Sequence, residues 1–114
     1  MCFLDMELVP RVAGIVVRDE EILLVNHREP GYDYWVPPGG SLEPGGGMHE
    51  GVCREVMEET GLEVEVSRML YYDDYFEEDL HIAQFFFLCE VVGGKPELGI
   101  DPEHEDGNRF LKDM

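Results

Sequence analysis

Residues 37–62, Pro37-Pro38-Gly39-Gly40-Ser41-Leu42-Glu43-Pro44-Gly45-Gly46-Gly47-Met48-His49-Glu50-Gly51-Val52-Cys53-Arg54-Glu55-Val56-Met57-Glu58-Glu59-Thr60-Gly61-Leu62, decide how the rest of the chain is read. The first half is a glycine-rich loop that can turn sharply and present backbone groups. The second half reads as a helix of about four turns, starting near Gly47 or Met48 and ending at Gly61, the usual place for a residue of positive φ. Val52 and Val56, with Met48 and Met57 one position round, form the stripe it would bury. Glu55, Glu58 and Glu59 stand at i, i+3 and i+4, so all three carboxylates leave from one face. Like charges packed there repel and weaken the helix unless something positive sits among them. A hard divalent cation bound through oxygen, Mg2+ or Mn2+, is the natural counterweight. Glu50 and Arg54 are spaced i, i+4, a pairing worth about 0.2–0.5 kcal/mol on an exposed face.

Outward from this stretch, composition narrows the field. The chain has 114 residues, enough for one domain (1–114) with a single core. Twenty-six acidic residues against eight basic ones give a formal net charge of -18. Such a surface repels phosphate polymers, which argues against a nucleic-acid partner. A small anionic substrate is compatible with that charge if a divalent metal neutralises the site locally. No apolar run approaches the roughly 20 residues that span a bilayer, so no membrane partner is expected. The N-terminus lacks the basic start and apolar core of a secretory signal. Cys2, Cys53 and Cys89 are odd in number and lack zinc spacing, which fits reduced thiols in a cytoplasm. Cys53 and Cys89 read as packing residues.

The stretch resembles the Nudix box: Gly, five residues, Glu, seven residues, Arg-Glu, an aliphatic residue, any residue, Glu-Glu, any residue, Gly, an aliphatic residue. Gly40, Arg54, Glu55, Val56, Glu58, Glu59, Gly61 and Leu62 match in register, and Gly46 stands where the family has its first Glu. The resemblance implies a Nudix fold of the α/β (α+β) class, a mixed β-sheet sandwiched between helices, with the box as loop-helix-loop. It implies an enzyme, a pyrophosphohydrolase that cleaves a nucleoside diphosphate linked to another moiety by water attack on phosphorus. Within it Glu55 and Glu59 are the main ligands of Mg2+ or Mn2+, Glu58 is a third or water-bridged ligand, and the Gly39 carbonyl is a further one. Arg54 is either a surface ion pair or, as the resemblance implies, a brace for the glutamates, with Glu43 or Glu50 replacing the family's partner. The base for the attacking water is Glu55, Glu58 or a tail glutamate such as Glu103. The alternative is a catalytically impaired Nudix-fold module that senses a nucleotide or binds a partner. Gly46, Gly47 and Gly51 motivate it, because each loosens the loop or the helix start.

Upstream, Glu7–Arg18 is a strand whose run Ala13-Gly14-Ile15-Val16-Val17 suits burial on both faces. Asp19-Glu20 makes a two-residue turn into a returning strand, Glu21–His27. Arg28–Tyr34 reads as a loop marked by Pro30-Gly31. Trp35 is a packing residue in this reading, and Tyr32 and Tyr34 are surface residues or, alternatively, stack on a substrate ring.

Downstream, Val64–Met69 is a strand continuing to Phe76, followed by the acidic turn Glu77-Glu78-Asp79 and a strand from Leu80 to Val92. His81 is a structural or rim residue, its catalytic role the lesser alternative. In the tail, Asp101, Glu103, Glu105 and Asp106 surround His104. They are either a solvated loop or the source of one further carboxylate, Glu103 or Glu105. Arg109-Phe110-Leu111 forms a last short strand. Family members usually continue into a further helix, so one pocket wall is missing here or comes from a second subunit in a homodimer. The coenzyme A signature and the proline typical of ADP-ribose hydrolases are absent, and His81-Ile82 before an aromatic strand resembles the nucleoside triphosphate-cleaving members.

Overall fold

Strand β1 (Glu7–Arg18) is the spine on which the other elements are arranged. The computed structural model describes residues 6–95 and 108–112. After β1 come β2 (Glu21–Glu29), β3 (Tyr32–Val36), β4 (Gly39–Ser41), α1 (Met48–Thr60), β5 (Leu62–Glu77), β6 (Leu80–Gly94) and β7 (Asn108–Lys112). One edge of β1 runs parallel to β6, from Glu7 opposite Leu80 to Val16 opposite Cys89. Its other edge is divided. β4 pairs antiparallel with Arg11 to Ala13, and β2 takes over at Val17 and Arg18. The strand order is β3-β2-β1-β6-β5, with β4 added on β1 and β7 on β2. The mixed sheet that the resemblance implies is therefore present. Among the described residues one helix, α1, packs on it.

The first hairpin forms where the sequence places it. Arg18 opposes Glu21, so Asp19 and Glu20 are the whole turn, and both take positive φ, 53° and 68°. Those angles match the primed turns whose twist suits a two-residue hairpin. The next segment corrects the expectation. Arg28–Tyr34 is not a loop: β2 runs on to Glu29, and β3 pairs back from Tyr32 opposite Glu29 to Val36 opposite Val25. Pro30-Gly31 is a tight turn with Gly31 at φ 93°. This hairpin carries little apolar alternation, so its strands are set by backbone pairing rather than by a hydrophobic face. The glycine-rich loop likewise contains a strand, β4, that composition alone did not announce. The expected last strand over Arg109–Leu111 is β7, antiparallel to β2. Asp101, Glu103, His104, Glu105 and Asp106 lie outside the described residues.

The core lies between α1 and the sheet: Val12, Val16, Leu23, Val52, Val56, Leu62, Val64, Phe87 and Cys89. Of the apolar run Ala13–Val17, Ala13, Gly14 and Val16 are buried, Ile15 is half-buried and Val17, where β1 passes from β4 to β2, is exposed, so burial on both faces holds over only part of the run. Gly14 marks a close approach of the helix, because a Cβ there would meet Val56 at 3.0 Å and Val52 at 3.3 Å. The helix stripe is Val52 and Val56, completed by Gly51 and Thr60, with Met48 packed at its edge. Met57 is 44% exposed, contrary to the expected stripe. It lies far enough round the helix that the sheet does not reach it. Gly61 ends α1 in the left-handed region at φ 78°, its N–H on the Met57 carbonyl. Thr60 Oγ1 donates to the Val56 carbonyl at 2.6 Å and accepts from Leu62 N–H at 3.1 Å, tying the helix end to β5. Cys53 and Cys89 are packing residues. Burial pushes both thiols up, that of Cys89 to about 12. No helix among the described residues is long and apolar enough to cross a membrane.

Candidate active site

The site is built where β4 is pressed between β1 and α1. Hydrogen bonds from Gly14 N–H to the Pro38 carbonyl and from Leu42 N–H to the Pro10 carbonyl, both 2.9 Å, flank this pairing. By the alternation of an antiparallel ladder, Gly39 and Ser41 then point their N–H and C=O groups away from β1. Gly39 must be glycine because a Cβ would fall on the Val12 carbonyl oxygen. Gly40 has a different reason. A Cβ there would lie 2.7 Å from the Glu55 carboxyl carbon, so that carboxylate rests directly on the Gly40 backbone.

Three glutamates leave α1 from one face, and the fold gives each a different environment. Glu55 is 14% exposed, against 57% for Glu58. Glu59 is half-buried and its carboxyl is pushed up to about 7, first by burial and then by the negative charge of Glu55. A hydrogen bond to the Glu55 carboxyl adds to the rise, while the Gly39 N–H bond and the Arg11 charge oppose it. Burial and the neighbouring charge both disfavour the ionised form of Glu59. Glu58 is instead drawn to Arg54, whose Nη1 lies 3.5 Å from Glu58, 3.1 Å from Glu55 Oε2 and 3.8 Å from Glu43 Oε2. The expected pairing of Arg54 with Glu50 does not form among the described residues; Glu43 takes that place. The three glutamates together lift Arg54 above its ordinary range against the pull of desolvation.

The structure thus brings Glu55, Glu59 and Gly39 together and leaves Glu58 on the solvent side. Among the described residues no group of three His, Cys, Asp or Glu side chains gathers closely enough to hold a metal ion. The donor set that fits a hard cation is two adjoining carboxylates, one of them destabilised in its charged form, and a backbone carbonyl turned away from its own sheet. Such a pair is relieved by positive charge.

On the face of β1 opposite α1 a cleft of about 610 Å³ opens. Gly39, Ser41 and Arg11 line its end nearest the carboxylates. His27 and Tyr34 form one wall, in an edge-to-face contact at 5.6 Å. Tyr75, Gln84 and Phe86 line the other, and Phe86 stacks on Tyr71 at 4.5 Å. Tyr34 is an exposed residue, as expected, and it lines the cleft. Arg11, Ser41, His27, Gln84 and Phe86 were not singled out from sequence. The available signal was the alternation of β1 and β6, whose odd and even positions face opposite sides. His81 is not among the cleft-lining residues: it alternates with Leu80 and Ile82, which are, and its Nε2 lies 2.8 Å from Asp74 Oδ2 with its ring stacked on Phe76 at 4.3 Å.

Comparison with known proteins agrees with this architecture. The NUDIX domain family model matches residues 8–112. The Bacillus subtilis (strain 168) protein YjhB is 36% identical over 98 residues, covering 82% of this chain and 46% of the relative. An ADP-ribose pyrophosphatase of Methanocaldococcus jannaschii is 34% identical over 104 residues, 87% of this chain and 62% of the relative. The chain thus spans less than two thirds of the length of both. The crystal structure of MutT NUDIX hydrolase from Burkholderia pseudomallei superposes with a TM-score of 0.77 at 25% identity, over 92% of this chain and 83% of that one.

Proposed function

This chain belongs to the Nudix family, and from that premise we propose that it is a pyrophosphohydrolase acting on a nucleoside diphosphate linked to another moiety. The observation that carries the reading is the Glu55/Glu59 pair set against Gly39 and Gly40, with Gly39 also lining a cleft large enough for a nucleoside. Glu55, Glu59 and the Gly39 carbonyl would hold the divalent ion, with Glu58 reaching it through water. Positive charge against the phosphate oxygens and acidification of a water molecule are what Mg2+ or Mn2+ supplies at such a site.

The chain's own groups do the rest. Arg54 holds Glu55 and Glu58 on one side of α1, which fixes the carboxylates before substrate arrives. Glu55, held between Arg54 and Glu59, is suited to accept a proton from the attacking water. Glu58 and Glu103 stay alternative bases. Gly39 lets β4 lie tight against β1, and Gly40 lets the Glu55 carboxylate rest on the β4 backbone. The nucleoside enters the cleft between the Tyr34 and Phe86 walls. An aromatic ring pair is worth about 0.5–1.5 kcal/mol beyond the area it buries.

For the substrate, the name of the Methanocaldococcus jannaschii relative favours a nucleoside diphosphate sugar such as ADP-ribose. The sequence pattern that favoured nucleoside triphosphates began at His81, which is engaged with Asp74 and does not line the cleft. The impaired-module alternative loses one of its motives. Gly51 is a close-packing glycine, with Leu42 3.0 Å from where its Cβ would be, rather than a loosened helix start. A reducing cytoplasm suits the thiols of Cys53 and Cys89.

The test is a panel of ADP-ribose, other nucleoside diphosphate sugars and nucleoside triphosphates with Mg2+, followed by release of the nucleoside monophosphate. Turnover of at least one substrate and its loss in Glu59→Gln support the reading. Absence of turnover on all of them, or a Glu59→Gln variant as active as the parent, refutes it.

A further inference from the structure

We propose that Arg11 grips a substrate phosphate on the cleft side of the Glu55/Glu59 pair, an inference that rests on the pyrophosphohydrolase reading above. β1 alternates, so Val12 and Gly14 face α1 while Val9, Arg11 and Ala13 face the cleft. Arg11 opposes Ser41 at a position where neither backbone bonds across, the register in which facing side chains come closest. Its Nη1 donates to Ser41 Oγ at 3.4 Å, a long bond to a neutral group. It is the arginine that lines the cleft among the described residues. Arg54 is occupied by Glu43, Glu55 and Glu58 on the other side of β4. A guanidinium offers five N–H donors in a planar fork that matches phosphate oxygens, and one long neutral bond leaves most of them to be offered.

The location gives the group its task. Gly39 both lines the cleft and bonds Glu59, so the cleft and the carboxylate pair meet across one residue. Arg11 is near enough to Glu59 for its charge to act on that carboxyl. A diphosphate lying across Gly39 therefore has one phosphate at the carboxylates and the next towards Arg11, with the nucleoside beyond it in the cleft. On a chain of formal charge -18 an anionic substrate needs such a cation at the entry side.

Arg11→Gln and Arg11→Lys are compared with the parent on the substrate found in the panel, with calorimetric binding of α,β-methylene-ADP in Mg2+ beside the kinetics. Arg11→Gln is expected to raise KM and weaken α,β-methylene-ADP by about tenfold or more, the usual scale for losing a charge-assisted hydrogen bond. Arg11→Lys is expected to recover part of the loss, since it restores charge without the fork. Thermal melts of the two variants should match the parent, because among the described residues the hydrogen bond lost is the long one to Ser41. A KM and a Kd within twofold of the parent in Arg11→Gln overturn the assignment while leaving the hydrolase reading standing. So does an affinity loss that accompanies a collapsed melt. A parent that neither cleaves nor binds any nucleotide overturns both readings together.

Discussion

Replacing Glu59 with glutamine should make the metal-free protein more stable at high pH while abolishing turnover. The Glu59 carboxyl moves from an ordinary 4.5 to about 7 on folding, chiefly through burial and then through Glu55. At 1.36 kcal/mol per pH unit that gap has a ceiling of about 3.4 kcal/mol. The group is partly open to solvent, which screens the cost, so about 2 kcal/mol is the expected size. The sign follows from the folded form holding the proton more tightly than the unfolded chain. The stability this provides is fully present below about pH 4.5 and is lost as pH rises through about 7. Glutamine keeps the shape of the neutral acid at every pH and does not suffer that loss. In EDTA the two proteins should therefore melt alike near pH 4.5–5. At pH 8.5 Glu59→Gln should melt higher by about 8 °C, taking roughly 4 °C per kcal/mol for a domain of this size. Mg2+ should then raise the parent's melting temperature more than the variant's, since a ligand stabilises the state that binds it. Scanning fluorimetry across pH measures all of this. A difference that does not change between pH 5 and 8.5, or a variant less stable at 8.5, would refute a half-buried carboxyl crowded against Glu55.

Glycine substitutions at neighbouring positions should separate stability from chemistry. Gly39→Ala drives a methyl into the Val12 main chain and should cost about 1–3 kcal/mol in a urea melt. Gly40→Ala meets the movable end of Glu55 and should change stability by less than about 1 kcal/mol. Its rate of hydrolysis should nonetheless fall about tenfold or more, because misplacing one group at a reacting centre is felt on that scale. Val56→Ala removes two methyls from a fully buried position above Gly14 and should cost about 2 kcal/mol, with an unchanged urea m value. Gly46→Glu should fold normally, since a Cβ there meets the Glu43 carbonyl oxygen at no less than 3.4 Å. It should speed hydrolysis less than about fivefold, because Arg54 already has Glu43 and an added exposed ion pair is worth at most about 1 kcal/mol. A gain of orders of magnitude would mean that Glu43 does not substitute for the missing family glutamate.

What the sequence made legible was local. Helix α1 is written in the i, i+3, i+4 spacing of its valines and glutamates and in Gly61, and it stops where that glycine says it should. The first hairpin is written in two apolar runs separated by two residues. β3 and β4 were hidden because their strands exist through pairing with β2 and β1 and carry no hydrophobic period of their own. Arg11 was hidden for a related reason. Which face of β1 becomes a cleft is fixed by the parallel register with β6, about seventy residues away, and by the helix covering the other side. The three glutamates show the limit most sharply. By residue type Glu55, Glu58 and Glu59 are interchangeable, and spacing alone sends them to one helix face. The helix, however, meets β4 along one flank only, which buries Glu55 and Glu59 against a glycine backbone and leaves Glu58 to solvent and Arg54. Burial first, and then the charge of Glu55, push the Glu59 carboxyl up to about 7. The division of labour in the box is therefore a property of where β4 lies, and moving β4 by way of Gly39 should redistribute it without changing a single acidic residue.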